Sequence, residues 1–219
     1  MAARHTYKDA DGKRLPSVTT IISRFKDSGG LLYWANTAGL NGQSLDEARI
    51  PAATVGTIAH DMVEAHRNGR EMPAFADQRP ELVEKAKSAF GSYTSWTKLV
   101  QLEIIHTEVP LVSGVHRFGG RLDAIGIARN ISNGLALVDW KTSGSVWSDY
   151  LYQMAAYKLL WDENYPETPI EGGFHLCRFA KEEGDFAHHY FPALEKETEA
   201  FLKMRELYDV VKKVEARVK

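Results

Sequence analysis

The sequence predicts an α/β protein, because segments with strand periodicity and segments with helical periodicity alternate along its 219 residues. Three strand-like runs follow one another in the middle of the chain, over 102–112, 117–128 and 137–143. Helical periodicity flanks them, over 52–68, 81–99 and 150–161. Hydrophobic residues make up 44% of the chain, which is enough for one domain with a sizeable core.

The N-terminal part, 1–101, is predicted to be mainly helical. Ser17 is well placed to cap a short helix whose apolar residues lie on one face. One interpretation is a capped helix that packs on the core. The other is that the hydroxyl groups of Ser17, Thr19 and Thr20 contact a backbone phosphate at the start of that helix.

A better-defined helix is predicted after Pro51, over 52–68, and it contains His60. Gly56 and Ala59 are small and would let this helix approach the sheet closely. If it crosses the ends of the central strands, His60 is a candidate metal ligand, and Glu64, one turn away, would either orient the imidazole or merely cap the same face. A histidine on a helix is more often a structural or surface residue.

The central feature is the pair of strands at 117–128 and 137–143. Turn-forming residues at 130–134 indicate a hairpin, which would bring Asp123 beside Asp139, roughly 5 Å away across the ladder. Side chains alternate along a strand, so Asp139 and Lys141 share a face and Trp140 points to the other. Two such carboxylates repel each other, so a positive charge is expected between them. A hard divalent cation is the natural candidate for that charge.

Three neighbouring residues have two interpretations each. Glu108 lies on the first strand, where it either faces the metal or is an exposed acid. Gln153 and Tyr157 lie one turn apart on the following helix, where they either contact a phosphate or base or form a buried amide and a core tyrosine.

The C-terminal part predicts a strand over 171–180, a charged turn over 181–185 and an edge strand over 186–191. A final helix over 192–218 would cover one side of the sheet. No convincing linker interrupts the chain. We therefore predict a single domain, 1–219, with a helical part to 101, a sheet-bearing core over 102–191 and a C-terminal helix.

Composition excludes several classes of protein. The formal net charge of −2 argues against tight, sequence-blind duplex binding, although a local basic groove is compatible with it. The single cysteine, Cys177, allows neither an internal disulfide nor an iron–sulfur cluster. The chain has no stretch apolar enough to span a membrane and no apolar run at its start, so we expect a cytoplasmic location, with an organelle matrix left open.

Taken together, these motifs resemble the PD-(D/E)XK nuclease superfamily, and within it the RecB-type exonuclease branch. The resemblance rests on five segments: 56–60, Glu108, 120–123, 138–142 and 153–157. The opening segment, 7–22, is also similar to the start of phage and mitochondrial single-strand exonucleases of this branch.

The resemblance implies a restriction-endonuclease-like fold with a mixed central sheet flanked by helices, and metal-dependent hydrolysis of phosphodiester bonds. Asp123, Asp139 and the backbone carbonyl of Trp140 would bind Mg²⁺ or Mn²⁺, and His60 would be an additional ligand. The expected catalytic residues are Asp123, Asp139, Lys141 and Glu108. The expected substrate-binding residues are Gln153, Tyr157, Arg121, Thr142, Ser17 and Thr19.

The predicted function is therefore a DNA exonuclease that acts on single strands or DNA ends, in repair or recombination. Two alternatives stay open: a structure-specific endonuclease of the same fold, and a non-catalytic nucleic-acid-binding module. No membrane partner is expected, and a recombination or replication protein is an open candidate partner.

Overall fold

A computed structural model describes residues 6–143, 145–179 and 186–218. The strands, in chain order, are β1 (Tyr7–Lys8), β2 (Arg14–Leu15), β3 (Leu102–Ser113), β4 (Phe118–Ala128), β5 (Ala136–Lys141), β6 (Phe174–Phe179) and β7 (Phe186–Phe191). The helices are α1 (Val18–Phe25), α2 (Gly29–Leu40), α3 (Leu45–Arg67), α4 (Pro80–Val100), α5 (Ser148–Asn164) and α6 (Glu195–Glu215). The predicted charged turn at 181–185 lies outside the described residues. Within them, no helix has the length and apolar character needed to cross a membrane.

The central sheet has the strand order β3-β4-β5-β6-β7 and is mixed. β4 pairs antiparallel with β3 and β5, whereas β5 and β6 run parallel and β6 and β7 antiparallel. A parallel pair needs a long crossover connection, which α5 provides. The predicted α/β class with a mixed sheet and flanking helices is confirmed, as are the β4–β5 hairpin and the edge hairpin of β6 and β7.

Each face of the sheet is covered by its own hydrophobic core. One core lies under α1, α5 and α6 and contains the fully buried Phe118, Trp161 and Phe201. The other lies under α3 and α4 and contains Trp96 and Trp140. Because both faces are covered, β5 is buried along its length rather than alternating between buried and exposed residues.

Helix α3 begins at Leu45, earlier than the predicted start after Pro51. The start is set by a capping box, in which the Ser44 hydroxyl accepts from the Glu47 amide and the Glu47 carboxylate accepts from the Ser44 amide. Pro51 then lies inside the helix, where it removes one backbone hydrogen bond without ending it. The predicted end is correct, with Gly69 left-handed at φ 60°.

Strands β4 and β5 diverge where the predicted site lies. Their pairing stops at Ala124 and Val138. Beyond that point Ser17 bridges to Gly119, whose amide donates to the Pro16 carbonyl at 3.0 Å. The segment before α1 therefore occupies the place beside β4 that β5 has left, and a cleft opens between the two strand ends.

Candidate active site

The two predicted acids occupy the first positions past the end of the β4–β5 pairing. Continuing the register that pairs Ala124 with Val138 places Asp123 opposite Asp139. The Trp140 amide donates to Asp123 Oδ2 across the two strands at 3.5 Å. Asp139 is fully buried, and Asp123 is half-buried. The sheet thus holds the two carboxylates on neighbouring strands; neither lines the cleft itself, whereas Lys141, the partner of Asp139, does.

Lys141 is the cation nearest to these acids. Its Nζ donates to Asp139 Oδ1 at 2.9 Å and lies 2.7 Å from Oδ2. Burial alone would lower the pKa of Lys141, but the carboxylates of Asp139 and Asp123 outweigh burial and the pKa is raised. Lys141 is therefore an ammonium ion, and its Nζ lies 5.4 Å from the centre of the Tyr150 ring.

Asp139 is only partly compensated by this ammonium. Burial raises the pKa of Asp139; Lys141 lowers it, and Asp123 raises it again, so the net shift is upward. Despite the short distance to Lys141, Asp139 Oδ2 accepts no hydrogen bond of good geometry from the described residues. A buried carboxylate oxygen in this state is suited to a further positive charge.

Glu108, on β3, has an unusual backbone conformation. It has a left-handed φ of 51°, which costs a non-glycine residue about 1–3 kcal/mol. Its Oε2 lies 2.7 Å from Arg121 Nε. Burial and then the nearby Asp123 raise the pKa of Glu108 to about 7, and Arg121 opposes this shift. The β3–β4 register places Glu108 opposite Asp123, and Glu108 also lines the cleft.

His60 is held by Trp140. The indole Nε1 of Trp140 donates to His60 Nδ1 at 3.1 Å, and an indole nitrogen can only donate. Neutral His60 must therefore carry its hydrogen on Nε2. Burial lowers the pKa of His60, which favours this neutral form. Ligation of a cation through either nitrogen would require the hydrogen bond to Trp140 to break.

Sequence reasoning considered Glu64 as one candidate to orient His60 and missed the indole of Trp140. Glu64 Oε1 instead accepts from Arg70 Nη2 at 2.6 Å. The signal available in the sequence was the identity of Trp140, since a buried indole N–H requires an acceptor. The acceptor itself lies 80 residues earlier, so the pairing depends on tertiary packing.

The cleft has a volume of about 710 Å³ and lies between α3 and the end of β5. Five of the predicted site residues line it: His60, Glu108, Arg121, Lys141 and Thr142. The predicted close approach of α3 is present, because a Cβ added to Gly56 would lie 2.8 Å from Thr142 Oγ1. Tyr150, which the sequence prediction did not include, forms part of the wall.

Gln153 and Tyr157 lie behind the acids. Gln153 Nε2 donates to the Tyr157 hydroxyl at 2.6 Å, and Tyr157 is buried. Burial, followed by Asp123 and Asp139, raises the pKa of Tyr157, which keeps its hydroxyl neutral. Because neither residue lines the cleft, direct contact with a substrate would require access from another side.

Ser17 and Thr19 lie away from the cleft. Ser17 Oγ accepts from the Thr20 amide at 3.0 Å, as predicted for an N-cap, and is 3.0 Å from Thr19 Oγ1. Ser17 and Thr20 line a separate cavity, which also contains residues of α6.

The donor set fits a hard divalent cation. Mg²⁺ is usually held by one or two carboxylates, with water and phosphate oxygens completing its shell. Asp123 and the under-compensated Asp139 provide such a pair. Over the described ranges, no three or more His, Cys, Asp or Glu side chains are grouped to hold a metal by themselves. The donor set therefore fits a cation that takes only a few of its ligands from the protein.

The mixed sheet, with two acids and a lysine where two strands diverge, defines an α/β protein whose paired carboxylates fit a divalent cation. The chain belongs to the PD-(D/E)XK nuclease superfamily, whose family model matches residues 20–217. The superfamily resemblance seen in the sequence is thereby confirmed. Nucleases of this superfamily generally use divalent metals.

Two solved structures illustrate the similarity. A candidate exonuclease from Eubacterium rectale is 17% identical, with 78% of this chain and 68% of that chain covered and a TM-score of 0.46. The alkaline exonuclease LHK-Exo from Laribacter hongkongensis is 13% identical, with 77% and 92% covered and a TM-score of 0.33. Because these TM-scores are below 0.5, the assignment rests on the family model. No curated protein matches the chain.

Proposed function

We propose that this protein is a metal-dependent DNA exonuclease of the RecB-type branch, hydrolysing phosphodiester bonds in single-stranded DNA or at DNA ends. The observation that carries the proposal is the buried Asp139, which lies opposite Asp123 and is paired with Lys141, a residue that lines the cleft. Membership of a nuclease superfamily supports the class of reaction.

Asp123, Asp139 and the Trp140 backbone carbonyl would hold Mg²⁺ or Mn²⁺. When bound, such a cation lowers the pKa of water and offsets charge that develops on the phosphate. His60 is proposed as an additional ligand on the condition that it releases the Trp140 indole. While that hydrogen bond is intact, His60 offers an N–H to the cleft instead.

Lys141 is proposed to stabilise negative charge on the phosphate. Its ammonium is a compact donor that lines the cleft, and its raised pKa keeps it protonated. Arg121 neutralises part of the charge of Glu108 and, with the Thr142 hydroxyl, is placed to bind backbone phosphates. Glu108, with a pKa of about 7, is placed to exchange a proton near neutral pH.

The test is degradation of end-labelled single-stranded DNA with Mg²⁺ or Mn²⁺ and with a chelator. Asp123→Ala, Asp139→Ala and Lys141→Ala are each expected to abolish cleavage. Asp46→Ala is the control, because Asp46 is exposed on α3 and pairs only with Arg49 among the described residues. Circular dichroism checks folding, and calorimetric Mn²⁺ titration is expected to show no binding for either aspartate variant.

The result separates the candidate functions. Degradation of linear but not circular strands supports an exonuclease, whereas cleavage of circular strands would assign an endonuclease. Binding that is insensitive to chelator, without any cleavage, would assign a non-catalytic module. Full activity of folded Asp139→Ala would overturn the proposed site.

A further inference from the structure

A second cavity, of about 830 Å³, lies between the N-terminal hairpin, the start of α1 and the end of α6. Six cationic side chains line it: Lys13, Arg14, Arg117, Arg205, Lys212 and Lys213. Asp209 is the one acid in that lining, in a protein whose acids outnumber its lysines and arginines by 29 to 27. Positive charge is thus concentrated here against the balance of the whole chain.

Two of these cations serve the fold. Arg117 Nη2 lies 2.8 Å from Asp9 Oδ2. Arg205 is almost fully buried, donates to the Arg117 carbonyl through Nε and Nη2, and pairs with Asp209 at 2.8 Å. Both arginines are therefore committed to holding the hairpin, β4 and α6 together.

The other four cations carry the unbalanced charge. Lys13, Arg14, Lys212 and Lys213 are exposed, and none forms an ion pair with a described residue. They come from two elements far apart in sequence, the hairpin and α6, and converge on one cavity. Such convergence favours an extended polyanion over a single small anion.

Tyr7 lines the cavity and packs on the start of β4, the strand that also supplies Arg121 to the cleft. The Tyr7 ring lies over Gly119, where an added Cβ would be 2.3 Å from Tyr7 Cγ. Burial raises the pKa of Tyr7, while Arg121 lowers it and Glu108 raises it, and both of these residues line the cleft. Arg117 directly precedes β4 and lines the cavity, whereas Arg121, four residues further on, lines the cleft.

We propose that this basic cavity binds the phosphodiester backbone of the substrate strand, next to the bond in the cleft. The net charge of the chain does not attract a DNA strand. The cavity would provide that attraction through Lys13, Arg14, Lys212 and Lys213. The Ser17 and Thr20 hydroxyls at its edge are placed to hydrogen-bond phosphate oxygens. The identification of this strand as the DNA substrate rests on the proposed nuclease function.

The experiment measures binding without cleavage, so that its outcome is independent of catalysis. Fluorescence anisotropy in chelator would follow single-stranded oligonucleotides of 3 and about 12 nucleotides, because the shorter one has too few phosphates to occupy the cleft and neutralise the four cations at once. The test variant combines Lys13→Gln, Arg14→Gln, Lys212→Gln and Lys213→Gln. A matched control removes charges from α4, with Lys85→Gln and Lys98→Gln, which are exposed and remote from the cavity.

The test variant is expected to bind the longer strand about tenfold or more weakly and to bind the trinucleotide like the parent protein. The slope of log affinity against log salt should shrink by up to about 3, at roughly 0.7 for each phosphate that is no longer neutralised. The control should change little. Unchanged affinity in the test variant, or an equal weakening per charge in the control, would overturn the proposal. If the parent protein binds as expected and never cleaves, only the proposed catalysis fails.

Discussion

Asp139 is a charged residue that the fold buries at a cost. A buried carboxylate is tolerated only with a partner, and Lys141 supplies one at 2.7–2.9 Å. Removal of one partner from a buried pair usually costs about 3–5 kcal/mol of stability. The Lys141→Ala variant is therefore interpretable only with its folding measured, because a decrease in activity could otherwise come from unfolding.

The hydrogen bond from the Trp140 indole to His60 predicts how substitution of Trp140 changes stability and the His60 tautomer. Trp140→Phe keeps an aromatic ring but removes the N–H that faces His60 Nδ1. The buried acceptor then lacks a donor, and we expect a decrease of about 1–3 kcal/mol in the free energy of unfolding. Denaturant unfolding measures this decrease, and ¹⁵N NMR of the imidazole should show a changed tautomer balance.

Trp161→Phe is the matched control for this prediction. The Trp161 indole donates to the Thr168 carbonyl at 2.7 Å, in the opposite core. A similar decrease in stability is expected there, with the His60 nitrogen signals unaltered. Identical His60 signals in the parent and in Trp140→Phe would show that the indole does not fix the tautomer.

At the level of elements, the site depends on how closely α1 and α5 approach β4. A Cβ added to Gly120 would lie 2.8 Å from Tyr157 Cε1 and 2.9 Å from Leu160 Cδ1. Real Cβ atoms do not come that close, so Gly120→Ala must displace α5 or distort β4. We expect a destabilisation of about 1–3 kcal/mol, measured by chemical denaturation.

Gly91 provides the comparison. It lies within α4, and a Cβ added there would meet nothing within 4 Å. Gly91→Ala should therefore stabilise the protein by about 0.5–1 kcal/mol, because alanine is favoured over glycine in a helix. A Gly120→Ala protein as stable as the parent would mean that α5 can retreat from β4 without cost.

On the scale of the whole molecule, the two cores share one sheet, so we predict that residues 1–219 unfold as a single domain. Trp161 reports on the α1–α5–α6 face, and Trp96 reports on the α3–α4 face. Thermal unfolding followed by far-UV circular dichroism and by tryptophan fluorescence should give one midpoint. Trp161→Phe and Trp96→Phe variants each remove one reporter. Two separated transitions would assign the N-terminal helices to an independent unit.

The sequence by itself determined the central hairpin, the mixed α/β class and the superfamily. Strand alternation and turn residues act over a few positions, which is why the shared face of Asp139 and Lys141 was predictable. The start of α3 was missed because its capping box outweighs the proline signal.

The tertiary structure alone decided the remaining features of the site. These are the hydrogen bond from Trp140 to His60, the left-handed backbone conformation of Glu108 and the separation of Ser17 from the cleft. Each depends on side chains from elements distant in sequence being packed against the same sheet. Local periodicity fixes the direction of a side chain, whereas its partner is fixed only when both faces of the sheet are covered.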